Sequence, residues 1–194
     1  MDLFLAISQG IGTSVAAGIR ALLPAVLVGV LARADLGVDF SGTDYAFLES
    51  VGWLAALAVA SALLLASGRV RSRLPLLLVG AVAAAIGALE FAGSLADEGY
   101  AAGPGLVAGA ACALIGIAAA RAFFGRAASR VRGDRQGEAA SFIELYAQAA
   151  ALAVAGLAVL APPASYPVLG LCAWVLVARR RAASRKYEGL RVLR

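Results

Sequence analysis

The chain has no histidine, only two cysteines and one methionine among its 194 residues, and 15% of it is charged. Without histidine, and with Cys112 and Cys172 each alone inside an apolar run, the ligand spacing of a zinc, haem or iron–sulfur site is absent. No metal and no cofactor is expected, and His-based catalysis is excluded. The two thiols read as small packing residues. The scarcity of charge has a second consequence. Hydrophobic residues make up 62% of the chain and the mean hydropathy is +0.87, which leaves too little polar surface to coat a soluble domain. The chain reads as an integral membrane protein.

A helix crossing ~30 Å of hydrocarbon needs about 20 apolar residues. That ruler picks out six segments, at 3–32, 46–67, 74–96, 103–125, 141–162 and 165–180. The first is too long for one upright helix and holds Arg20 and Pro24, so it must tilt, kink near Pro24, break in two, or be re-entrant. The last is short and ends in Arg179-Arg180-Arg181, whose side chains can snorkel to the interface. The start, Met1-Asp2-Leu3, lacks the positive charge that precedes the apolar core of a secretory signal. It is expected to be kept as the start of the first membrane segment.

Charge placement gives an independent test, because cytoplasmic loops collect Lys and Arg. With six spans, fifteen of the seventeen basic residues fall on one side: Arg69, Arg71 and Arg73, then Arg121, Arg126, Arg130, Arg132 and Arg135, then seven after the last span. The other side receives Asp35, Asp39, Asp44, Asp97 and Glu98, with Arg33. Both termini are therefore expected in the cytoplasm. The net charge of +5 is accounted for by this topology and by attraction to anionic headgroups of membrane lipids at the cytoplasmic face. No basic stripe interleaved with aromatics points to nucleic acid. The tail 179–194 reads as an interfacial helix on the cytoplasmic leaflet, with 184–194 as its basic cytoplasmic end.

The two halves of the chain resemble each other. Phe47-Leu48-Glu49 with Leu54 to Ala60 matches Phe142-Ile143-Glu144 with Ala149 to Ala155 at a constant offset of 95 residues. Upstream, Ile19-Arg20-Ala21 is mirrored by Ala120-Arg121-Ala122, and downstream Leu74-Pro75-Leu76-Leu77 by Tyr166-Pro167-Val168-Leu169. Three spans per half is an odd number, so the second copy must face the opposite way. The expected fold is an all-α, polytopic membrane helix bundle of six transmembrane helices in two inverted three-helix repeats, 1–98 and 99–183. Small residues at spacings near four predict that spans one and four pack tightly at the centre, through Gly12, Ala16 and Gly18 and through Gly105, Gly109, Ala113, Gly116 and Ala120.

Ionisable groups at membrane depth are costly and mark the candidate pathway. Under the six-span topology Arg20 and Glu90 lie at similar depth and can pair, with Glu49 joining them and Ser8, Gln9, Thr13 and Ser14 lining the approach. Arg121, Glu144, Tyr146 and Gln148 form the counterpart toward the cytoplasm. The candidate substrate or ion pathway is thus Arg20, Glu90, Glu49, Gln9, Thr13, Glu144 and Gln148. Glu49 and Glu144 also suit helix N-termini, and Arg121 a membrane interface, without any pathway. Gly10-Ile11-Gly12 is a place where the first span can unwind.

At Gly18-Ile19-Arg20-Ala21 with Pro24, and again at Lys186-Tyr187-Glu188-Gly189-Leu190-Arg191, the chain resembles a family of small bacterial multi-span inner-membrane proteins known only as a domain of unknown function. The resemblance implies a bacterial inner-membrane protein and carries over no activity and no site residues. The expected function is a small permease or channel-like transporter of a small solute, ion or lipid-like molecule. The alternative is a non-transporting membrane scaffold or accessory subunit, whose basic tail and small-residue faces hold a partner. An intramembrane lipid enzyme lacks a His/Asp cluster, a paired-aspartate motif, or a nucleophile with a base. Six short helices enclose little volume, so a homodimer is compatible with the sequence.

Overall fold

The computed structural model describes residues 2–66, 73–131 and 138–191. Among them there is no strand. Seven helices follow in order: α1 (Asp2–Ile19), α2 (Leu23–Arg33), α3 (Val51–Ala66), α4 (Arg73–Asp97), α5 (Ala102–Val131), α6 (Glu138–Leu160) and α7 (Ser165–Arg191). Short 3-10 turns at Ala46–Glu49 and Pro162–Ala164 lead into α3 and α7. All six prolines lie in these turns or within the first three residues of a helix. There the missing N–H has no intrahelical acceptor to satisfy, so proline is tolerated. Three stretches are long and apolar enough to cross a membrane: Leu77–Asp97, Ala102–Gly125 and Phe142–Leu160. The apolar stretches of α1, α2 and α3 are shorter.

The first apolar segment breaks at Arg20–Leu22, and Pro24 is the reason. In a continuous helix its ring would meet the carbonyl of Arg20, four residues earlier, whereas in the first turn of a new helix it fits. The chain then reverses. Gln9 on α1 donates to the carbonyl of Gly37, which follows α2, so residue 37 returns to the height of residue 9. α1 and α2 form a hairpin with its tip at residues 20–22. Gly37 has φ +81 and sits against the Val159 carbonyl, where a Cβ would lie 2.7 Å from that oxygen. Glycine there relieves both constraints. The Gly10-Ile11-Gly12 stretch does not unwind; α1 is helical through it.

Helix direction corrects the expected topology. Gly10 faces Phe91 and Ser14 faces Gly87, so α1 runs antiparallel to α4, not parallel to it. Phe4 stacks on Tyr166 at the start of α7, with ring centroids 5.2 Å apart. The start of α1 therefore lies at the end of the bundle that carries connectors 34–50, 98–101 and 161–164, called the acidic end below. The carboxyl-terminal end of α7 points to the opposite, basic end. The two termini do not share an end, because the hairpin adds one reversal that a single first span would not have. The same reversal affects the repeat. α3 and α6 run in opposite directions, as do α4 and α7, but α1 and α5 run in the same direction. α4 packs along α5, and α1 packs on α4, α5, α6 and α7.

α1 is the central element, and its residues 8 to 18 are all buried. Its glycines permit this. Gly18 lies against the Ala113 carbonyl of α5, while Gly116 of α5 lies against the Val15 carbonyl, and Gly109 against the Gly87 carbonyl of α4. Each contact is backbone on backbone, the mode by which helices associate where no hydrophobic drive separates them from their surroundings. Gly12 lies against the side chains of Ala158 and Ser165. Around this centre, Val28, Phe40, Leu48 and Val159 fill one cluster and Val15, Phe91, Leu95 and Cys112 another. Large apolar side chains point outward from the periphery, among them Leu78, Val107, Leu114, Leu145, Leu160 and Trp174.

Candidate functional site

Buried polar side chains concentrate on α1 and its immediate neighbours. Ser8, Gln9, Thr13 and Ser14 of α1, Glu90 and Ser94 of α4 and Ser165 of α7 are all buried; Ser61 of α3 is the other one among the described residues. The spacing puts 9 and 13, and 90 and 94, one turn apart on their helices. Because Gly10 faces Phe91 and Ser14 faces Gly87, Glu90 lies at the height of α1 residues 10 to 14. At ~1.5 Å per residue it stands about 10 Å inside the acidic end, seven residues before Asp97.

Hydrogen bonding in this layer is one-sided. The hydroxyls of Ser8, Thr13, Ser14 and Ser94 donate to the carbonyls of Phe4, Gly10, Gly87 and Glu90, and the Gln9 amide donates to Gly37. The Ser14 bond, 2.7 Å long, ties α1 to α4, and the Gln9 bond, also 2.7 Å, ties α1 to the chain returning from α2. Glu90 is 2% exposed, and its Oε2 finds no donor among the described residues. A carboxylate buried without a countercharge or donor costs several kcal/mol.

Arg20 does not pair with Glu90. It stands at the tip of the hairpin; Gly10 opposite Phe91 and Ser14 opposite Gly87 put Glu90 level with residue 11, about nine residues of α1 away, a separation of roughly 14 Å. The Arg20 guanidinium instead meets the Glu144 carboxylate of α6 at 3.2 Å, with the side chains 34% and 49% exposed. The antiparallel α1 carries Arg20 away from Glu90 and toward the first half of α6. Gln148, one turn beyond Glu144, has its buried Nε2 without an acceptor among the described residues. Glu49 ends the 3-10 turn before α3 at the acidic end and does not join Arg20. Ser50 starts α3, its hydroxyl accepting the Trp53 N–H at 3.3 Å. Arg121 lies on α5, its guanidinium near Gly80 of α4, and Tyr146 is exposed.

At the acidic end, Asp39 accepts the Ser41 N–H at 2.8 Å, and its own N–H donates to Asp97 Oδ2 at 3.2 Å. Hydrogen bonds from the Ser41 hydroxyl and N–H hold the Asp39 carboxyl below its ordinary value. No group of three or more His, Cys, Asp and Glu able to hold a metal occurs among the described residues. Arg69, Arg71, Arg132 and Arg135 lie outside the described residues, as do the side chains of the 184–194 tail.

Sequence reasoning found the polar residues of α1 and Glu90, because charge and hydroxyls stand out against an apolar background. It missed Ser94 and Ser165, whose composition signal is that of any serine in a helix. No family model, curated protein or solved structure matches the chain.

Proposed function

We propose that the chain is a multi-pass protein of a bacterial inner membrane that works as a small permease or channel-like protein for a small solute, ion or lipid-like molecule. Its organisation supports the membrane setting: apolar side chains face outward and polar ones inward, the reverse of a soluble domain. Basic residues gather at one end, which the positive-inside rule assigns to the cytoplasm. α1 and α2 then form a re-entrant hairpin dipping in from the outside, α3 to α7 cross, and the basic tail of α7 rests on anionic headgroups. α3–α4 and α6–α7 are the related parts of an inverted repeat.

One observation carries the transport reading: buried polar groups line α1 from Ser8 to Ser14 beside Glu90, and beyond the apolar residues Val15 to Ile19 the Arg20–Glu144 ion pair stands partly exposed at the hairpin tip. Non-helical backbone at membrane depth persists where it is packed in protein or lines water. Arg20–Glu144 sits at the basic-end mouth of that line, two residues inside the apolar stretch Phe142–Leu160. An ion pair this exposed contributes ~0.2–1 kcal/mol to stability, so its loss leaves the fold standing. The test is solute flux in liposomes. Arg20→Ala and Glu144→Gln are expected to change the rate by about tenfold while thermal midpoints move little. Unchanged flux in both variants, or no flux with any solute class, sinks the reading.

A further inference from the structure

We infer that the layer around Glu90 is a binding site for a small monovalent cation, the proton included. The inference deepens the transport reading by naming a ligand class, but it rests on the geometry of the layer and is tested by binding.

Its basis is the imbalance between donors and acceptors. The hydroxyl protons of Ser8, Thr13, Ser14 and Ser94 are all committed to backbone carbonyls. Each of those oxygens keeps lone pairs, and the Gln9 amide carbonyl is a further acceptor. Glu90 adds a carboxylate with an orphaned, fully enclosed Oε2. The buried Ser165 hydroxyl, against Gly12, is the one donor of the layer without a partner among the described residues; a layer otherwise rich in acceptors and carrying one negative charge disfavours anions. It is satisfied by something positive. A proton neutralises the carboxylate outright, and an alkali ion is suited by hard oxygen ligands of this kind.

Size and charge narrow the class. Gly10 against Phe91, Gly12 against Ala158 and Gly87 against Ser14 bring the helices into close contact through this layer, which favours a small ion over an organic cation. One carboxylate matches one positive charge; divalent ions recruit more carboxylates or retain several waters. The other charged groups on the surrounding elements whose side chains are among those described lie toward the two ends of the bundle: Arg20 on α1, Arg33 on α2, Asp35, Asp39, Asp44 and Glu49 in the connector, Asp97 and Glu98 at the end of α4, Arg121 on α5, Glu144 on α6 and Arg179, Arg180 and Arg181 on α7. Glu90 thus supplies the negative charge of the layer itself.

The experiment uses the full chain in detergent, with sodium, lithium, potassium or choline chloride at constant ionic strength, between about pH 5 and pH 9. Thermal midpoints are compared for the wild type and Glu90→Gln. A ligand bound only by the folded protein raises the midpoint, by about 3–5 °C for each tenfold gain in occupancy ratio. Such a rise in sodium or lithium over choline, absent in Glu90→Gln, assigns an alkali ion. A rise on acidification that Glu90→Gln lacks, with no cation preference, assigns the proton. Should the variant fail to fold, the wild type is treated with dicyclohexylcarbodiimide, an apolar reagent that adds to a protonated carboxyl, and the modified peptide is identified by mass. Labelling of Glu90 slowed about tenfold by sodium or by alkaline pH supports the same two assignments.

Wild-type midpoints and Glu90 labelling that are indifferent to every cation and to pH overturn the inference. Cation binding without solute flux keeps it and removes the permease reading; flux without any cation or pH response does the reverse.

Discussion

Glycine at the helix crossings is a residue-scale requirement with a residue-scale test. A methyl group at position 18 would run into the Ala113 carbonyl, which is backbone and cannot rotate away. Gly18→Ala is therefore expected to cost ~2 kcal/mol, in the range of core overpacking. At Gly156, on α6, a methyl group would meet no described atom within 4 Å, and alanine is the better helix former. Gly156→Ala is expected to leave stability unchanged or raise it by up to ~1 kcal/mol. Thermal unfolding in detergent separates the two, and equal midpoints would remove the packing argument. Asp39 offers a second test. Its carboxyl is held below the ordinary value of 3.8 by Ser41, so its contribution to ordering the connector is in place above that value. It is lost as pH falls through the lower, folded value. The protection of the Ser41 amide against exchange, relative to its intrinsic rate at each pH, should fall on acidification over that window, and Asp39→Asn should abolish the dependence.

At the scale of elements, the α1–α2 hairpin decides where the charges go. Pro24 is legible in the sequence as a break, and so is the excess length of the first segment; the reversal is not. A kinked span and a hairpin bury the same apolar residues, and local sequence does not distinguish them. What distinguishes them is a bond between residues 28 apart, Gln9 to Gly37, and a glycine whose φ of +81 lets the returning chain lie against Val159. The direction of α1 also explains why sequence places Arg20 beside Glu90 and the structure does not. Direction sets height, and height brings Arg20 to Glu144 while leaving Glu90 among hydroxyls. The charged residues are found from sequence because each is conspicuous in an apolar run; their pairing depends on a turn that sequence leaves open.

For the whole molecule, the arrangement predicts that the two ends of the chain face opposite sides of a membrane. With Cys112 and Cys172 replaced by alanine, Leu3→Cys and Asp44→Cys should react with an impermeant thiol reagent from one side of sealed vesicles, and Ser184→Cys from the other. Reaction of Leu3→Cys and Ser184→Cys from the same side would be incompatible with the hairpin. The basic loops and tail are expected on the Ser184 side, where anionic headgroups attract them.

Composition alone determined that this chain is helical and suited to an apolar environment, because 62% hydrophobic residues in long runs admit few other outcomes. Residue type likewise determined the absence of histidine ligands and the position of each buried charge along its helix. Tertiary structure decided which charges meet and which end of the bundle the start of α1 and the end of α7 occupy. Those outcomes turn on the direction in which each helix runs. Apolar periodicity is the same read up or down a helix, whereas the pair of contacts Gly10 with Phe91 and Ser14 with Gly87 is satisfied in one direction alone.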